Sequence, residues 1–335
     1  MQSKSPSNSR LSKKSSYRAL ITTSIILGVS LFIALNRQYI YDSFLFWTYQ
    51  PTNEIAMIAG RSSMNDAGIF AFYATHPEVS DKQAFNGKCN QKEQGTAIIG
   101  CYVDNRIYVY DVTDKRLSGI REVTAAHEML HAVYQRLSDN DRVAINKLIE
   151  LEYAKLQDDP ALAERMAFYA RTEPGERDNE LHSIIGTEIG AISPELETHY
   201  AKYFTKRSDL TTLYASYNQN FKDLENQRKT LDADLNTLKK KIEVDKELYT
   251  QHLDLLYKDI ATYKQASSES KSQAALDAQY NALQVRIDAV KAEADGINDE
   301  INQLRRLIDQ YNSTITQSQD LYKSIDSTLT PAPEV

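Results

Sequence analysis

Glycine and proline are scarce in this chain: 335 residues hold 11 Gly and 8 Pro, and no Pro occurs between residues 195 and 330. Without that helix breaker, nothing interrupts a long helical region there. Cysteine is limited to Cys89 and Cys101, which are not in C-x-x-C spacing, so a cysteine metal site is a poor fit, and a disulfide or a pair of free buried thiols is left. Basic residues do not concentrate on any segment beyond the N-terminus, and the net charge is −7. Phosphate binding needs a concentrated basic face, so nucleic acid is excluded as the main partner. What is present is 41% apolar and 25% charged residues, enough for more than one domain but not for several large ones.

Residues 1–18 carry Lys4, Arg10, Lys13, Lys14 and Arg18 and no acid, the composition of a disordered tail. Residues 19–36 are uncharged and mostly apolar, in the lower range for a membrane-spanning helix. The run exceeds an ordinary signal-peptide core and no A-x-A site follows it, so a retained signal anchor is expected rather than a cleaved leader and a secreted soluble protein. Five positive charges precede the span and Arg37 alone follows closely, which predicts a cytoplasmic N-terminus and an extracytoplasmic remainder. Residues 37–51 hold Tyr39, Tyr41, Phe44, Phe46, Trp47 and Tyr49, either an interfacial aromatic belt or an amphipathic helix on the following domain. In an oxidising compartment Cys89 and Cys101 are expected to form one disulfide around a hairpin.

The stretch VTAAHEMLHAVYQRL, residues 123–137, carries the chemistry. Positions four apart share a helix face, so His127 and His131 can reach one ion. Imidazole nitrogen is a preferred zinc ligand, and Glu128 is placed to accept a proton from the attacking water as general base. With six His in 335 residues, such a triplet arises by chance at a level of about 1%. A catalytic site needs a third protein ligand. Tyr134 and Leu137 stand where a metzincin would continue with Gly and His, which closes that option. The segment DNELHSIIGTEIGA, residues 178–191, is a second helical candidate, with Asp178 as N-cap.

HEMLH followed by NELHS resembles the two active-site helices of thermolysin-like gluzincins. The resemblance covers about a quarter of the chain and implies a zincin peptidase fold, with Glu180 as third zinc ligand. The family's Asp, four residues after that Glu, is Ile184 here. Glu188 is open either as the supporting carboxylate or as the ligand itself, with His182 a further candidate.

Two runs, 68–75 and 106–113, read as strands of a small sheet on the HEMLH helix. By resemblance the second could be the edge strand beside the cleft, to which a substrate strand adds. Helices are expected from about 139 to 156 and 160 to 171, then a Pro-Gly loop over 171–178 that could border the site, with Tyr169 or Arg171 stabilising a developing oxyanion. Ser193-Pro194-Glu195 starts another helix. From Leu210 an apolar 3-4 pattern runs to Ile242 and restarts at Leu276 after the polar break 266–273, a sustained coiled-coil signal.

The expected fold class is therefore an α+β zincin-like domain over 52–205, preceded by a membrane helix and followed by a coiled-coil hairpin or dimerisation arm over 206–328. Residues 329–335 form a disordered end. The expected function is a membrane-anchored, extracytoplasmic zinc metallopeptidase acting on peptide or protein substrates, with a homodimer or protein partner reached through the arm. The alternative is a non-catalytic zinc-binding domain in a coiled-coil envelope scaffold.

Overall fold

The computed structural model describes residues 10–89, 98–172, 175–269 and 272–326. The expectations for residues 1–9 and 329–335, most of the segment between the cysteines, and Glu173-Pro174 of the Pro-Gly loop lie outside them. The chain divides into two compact units at the Tyr217/Asn218 boundary, later than the expected 205/206. The fold is mostly helical with one small sheet. In order the first unit holds α1 (Arg10–Leu35), α2 (Arg37–Thr48), α3 (Asn53–Arg61), α4 (Asp66–Tyr73), β1 (Glu78–Ser80), α5 (Lys82–Lys88), β2 (Gly100–Val103) and β3 (Arg106–Tyr110). It continues with α6 (Ile120–Arg136), α7 (Asp139–Tyr153), α8 (Pro160–Thr172), α9 (Arg177–Glu188) and α10 (Pro194–Tyr200). The first turns of α11 (Arg207–Ser268) also belong to it. The rest of α11 and α12 (Gln273–Ile325) make the second unit.

Side-chain caps set several of the helix starts. Thr52, Asn65, Asp81, Ser138 and Ser193 each accept a backbone N–H of the first turn, an arrangement worth about 1 kcal/mol apiece. One cap overturns an expectation, because the run 68–75, read as a strand, is the body of α4. Asn65 Oδ1 accepts from the amides of Ala67 and Gly68, each at 3.1 Å. Gly68 also lies on the Tyr203 carbonyl, where a β-carbon would come within 2.2 Å of the oxygen. Local capping and close packing override the β-leaning composition.

The sheet has the order β1-β3-β2, with β1 parallel and β2 antiparallel to β3. The β2–β3 connection is the two residues Asp104 and Asn105, both at positive φ, as a twisted two-residue hairpin turn requires. The run at 106–113 is thus a strand, but a central one. Among the described residues the outer strand that packs on α6 is β2, whose short sequence GCYV carries too little alternation to be read as a strand. Cys101 of β2 is disulfide-bonded to Cys89 at the end of α5, with a Cα–Cα distance of 5.9 Å. The bond joins a helix end to a strand rather than closing a hairpin.

The core forms around α6. Ala125, Ala126, Met129, Leu130 and Ala132 are fully buried, and α3, α4, β2, β3 and α9 all pack against this helix. Each large apolar side chain so buried stabilises by about 1.5–3 kcal/mol. At its C-terminal end Arg136 forms a bidentate pair with buried Asp42 of α2, both contacts at 2.8 Å. The same guanidinium donates to the Tyr102 hydroxyl at 3.1 Å and to Asn105 Oδ1 at 3.0 Å.

Among the described residues no single helix is long and apolar enough to cross a membrane. Leu20–Leu35 and Arg37–Thr48 pass that test together, as a pair bent by 71°. In the second unit α11 and α12 run antiparallel. Lys241 meets Glu300, His252 meets Glu293 at 2.8 Å and Tyr263 stacks near Tyr280, so the partner numbers descend as the first ascend. Leu256, Leu283 and Val290 are buried between these helices. The arm pairs with itself within one chain.

Two substitutions test these ties. Arg136→Met leaves Asp42 buried without a counter-charge and is expected to cost about 3–5 kcal/mol in denaturant unfolding. Cys89→Ser with Cys101→Ser opens a loop with a sequence separation of 12 and is expected to cost about 3 kcal/mol, read as a lower thermal midpoint.

Candidate metal centre

His127, Glu128 and His131 sit in the middle of α6, and one ligand atom from each lies within 4.8 Å of the others. The imidazoles stand edge to face, with ring centroids 4.7 Å apart. Glu180, in the first turn of α9, faces both: its Oε2 is 3.5 Å from His127 Nε2 and its Oε1 is 3.4 Å from His131 Nε2. Gly186 permits this approach. A β-carbon there would meet Leu130 Cδ1 at 2.4 Å and Tyr200 Cε1 at 2.7 Å, so only glycine lets α9 lie this close to α6.

The donor set fits a metal ion on two independent observations. Two ligands at about 2.0–2.1 Å from a tetrahedral ion are about 3.3–3.4 Å apart, and the imidazole–carboxylate separations match that edge. Glu180 Oε2 is also buried with no hydrogen-bond partner, a costly state for a carboxylate unless a cation meets it. Burial pushes the Glu180 carboxyl up, but His131 and His127 beside it more than offset this and hold it down to about 2. The group is therefore an anion, as a ligand must be. Two imidazoles and a carboxylate are a donor set that can hold a metal ion.

Around these groups lies a cavity of about 640 Å³. His131 Nδ1 is 3.0 Å from Asn179 Oδ1 and 3.2 Å from Ser183 Oγ, contacts that fix the ring with Nε2 toward Glu180. Tyr169 of α8 also lines the cavity and hydrogen-bonds Glu180. Burial, together with the Glu180 carboxylate, pushes its hydroxyl well above the usual tyrosine range, so it remains a donor at neutral pH. Across from α6, Gly100 of β2 rests on the face that carries Thr124 and Glu128. A β-carbon there would come within 2.4 Å of Thr124 Cγ2 and 2.7 Å of Glu128 Oε1. The disulfide holding β2 is part of the same wall, since Cys89 and Cys101 both line the cavity.

The other sequence candidates go elsewhere. Glu188 reaches the cavity wall, but Arg165 takes both its oxygens, at 3.1 and 2.7 Å. Eight residues separate it from Glu180, about 12 Å along the helix, so the two cannot meet the same imidazoles. The role of supporting carboxylate falls instead to Asn179 and Ser183, polar but neutral. His182, two residues and about 200° around the helix from Glu180, points into the core. Its Nε2 is 2.9 Å from His199 Nε2, and burial followed by His199 pushes it well below the usual histidine range. Asp178 is one residue inside α9 rather than its cap, and accepts from Asn146 Nδ2 at 2.6 Å. Arg171 is exposed. Gly100, Ser183 and Arg165 had no sequence signal, because only tertiary packing brings them to the cavity. Tyr214 and Tyr217 carry the helical 3-4 pattern, yet they line the cavity rather than a coiled-coil seam.

Glu180→Ala is expected to lose metal in a content measurement on the purified protein, whereas Glu188→Gln is expected to keep it. Equal retention by both would remove Glu180 from the ligand set. No protein-family model matches the chain, and no curated protein and no solved structure matches it, so the assignment rests on the chemistry of the site itself.

Proposed function

We propose that this protein is a membrane-anchored zinc metallopeptidase of the zincin type, its catalytic unit outside the cytoplasm and His127, His131 and Glu180 holding the ion. The observation that carries the reading is the buried, unpartnered Glu180 oxygen set at ligand spacing from two imidazoles, with Glu128 in the same cavity. A structural metal site has no use for a carboxylate base beside its ligands or for a cavity around them. Zinc there would supply Lewis-acid polarisation of a peptide carbonyl and lower the pKa of water.

The chain's own residues account for the rest. Glu128, one position from His127 on α6, takes the proton of the attacking water and returns it to the leaving amine. Tyr169, kept protonated, turns its one O–H from Glu180 to the oxyanion that develops on the carbonyl. The outer edge of β2 offers backbone groups to an extended peptide, and the absent side chain at Gly100 lets that peptide lie close over Glu128. Asn179 and Ser183 hold the His131 ring in orientation. The apolar stretch of α1 is the anchor, with the basic N-terminal tail on the cytoplasmic side.

Glu128→Gln is expected to lower peptide hydrolysis by about 10²–10⁴-fold with metal content and thermal midpoint unchanged. Gly100→Ala is expected to retain metal and lose turnover, because its β-carbon displaces the Glu128 carboxylate. Wild-type protein that holds stoichiometric zinc yet cleaves no member of a peptide library would favour a non-catalytic zinc-binding scaffold.

A further inference from the structure

Helix α2 has two unlike faces. The inner one carries Asp42, held by Arg136, and Phe46, whose ring lies 5.3 Å from Phe70 and 6.3 Å from Tyr73 of α4. Leu45 joins it through its carbonyl, 2.9 Å from His76 Nε2. The outer face is formed by Ile40, Phe44 and Trp47 at i, i+4 and i+7, flanked by Tyr41. Trp47 is 84% exposed and Phe44 63%. The only acid of the helix, Asp42, is turned inward, and its one base, Arg37, stands at the N-terminal end of the same face, before the stripe begins.

The chain before α2 indicates what covers that stripe. The side chains of 20–35 are all exposed and almost wholly apolar. Sixteen residues of helix span about 24 Å, short of the roughly 30 Å of bilayer hydrocarbon. At Asn36 the axis turns by 71°. A helix turned that far from a span along the bilayer normal lies within about 20° of the membrane plane, where aromatic side chains with polar tips are enriched.

Building on the reading of α1 as the anchor, we propose that α2 is an interfacial membrane helix. Ile40, Tyr41, Phe44 and Trp47 occupy the headgroup–acyl boundary, while the Asp42–Arg136 pair fastens the helix, and hence the bilayer, to the catalytic helix α6. The partner is the lipid surface. Arg136 also holds Tyr102 of β2 and Asn105 of its turn, so the membrane-facing helix, the catalytic helix and the edge strand share one guanidinium. The cavity is thereby held at a set height above the bilayer, within reach of polypeptide that lies near the membrane surface.

Trp47 is the only tryptophan in the chain and reports on this face directly. The full-length protein is reconstituted into phosphatidylcholine vesicles and floated on a density gradient. Its emission is then read with iodide in the water and with lipids brominated near the carbonyl end or the methyl end of the acyl chain. The expected result is blue-shifted emission, iodide quenching several-fold below that of the protein unfolded in urea, and stronger quenching by the carbonyl-end label. Ile40→Asn with Phe44→Asn should restore iodide access while the protein still floats. Floating protein with Trp47 fully open to iodide overturns the proposal and leaves the anchor standing. So does a shielded Trp47 that no brominated lipid quenches, which would mean a protein surface covers it. Stronger quenching by the methyl-end label means α2 inserts deeply, and also overturns it. Protein that does not float at all refutes the anchor and this proposal together.

Discussion

A buried carboxylate set between two imidazoles, with one oxygen outside any hydrogen bond, is the constraint on which the first unit turns. Glu180 places an ionised group beside two imidazoles where α9 packs on α6, and its Oε2 lies 3.5 Å from His127 Nε2 with no hydrogen bond made. Elsewhere in the unit, buried acids have partners: Asp42 has Arg136, Glu122 has Arg61, Glu188 has Arg165 and Glu152 has Lys155. The contrast is informative because the chain evidently supplies cations where it buries anions. At Glu180 it supplies two imidazole nitrogens instead, at the separation of ligands that share one ion.

The close packing that creates this site is also what rigidifies it. Gly186 lets α9 settle on Leu130, Asn179 and Ser183 lock one ring, and Gly100 brings β2 onto Glu128. Side chains held in this way lose little further freedom when a ligand binds. The two positions that lack a side chain therefore matter to the site as much as those that carry a functional group.

How much of this was legible in the sequence follows from the range of each signal. His127, Glu128 and His131 lie within five residues on one helix turn, so their shared face could be read from spacing alone. Glu180 is 49 residues beyond His131 and was reached only through a resemblance, since no local rule connects two helices that meet in space. Ser193, Ser138 and Asn65 are local caps; the first two marked their helices, whereas the aromatic content of 68–75 hid the helix that Asn65 starts. The strand β2 was missed because four residues, two of them Gly and Cys, carry little pattern. Tyr214 and Tyr217 continue the helical period of the arm, and periodicity does not distinguish a cavity wall from a coiled-coil seam.

The parallel pairing of β1 with β3 has a kinetic side. Glu78 pairs with Tyr108, so the chain must close a long crossover before that ladder can form, a non-local contact that is slow to find. The Cys89–Cys101 bond lies wholly inside that crossover. Once oxidised, it shortens the chain that has to be searched and brings β2 toward the place where β3 will dock. In the helical arm each contact is nested inside the next from the turn outward, so zippering needs no such search. Assembly of the first unit should therefore trail the arm, with the residues around Glu128 among the last to reach their final positions.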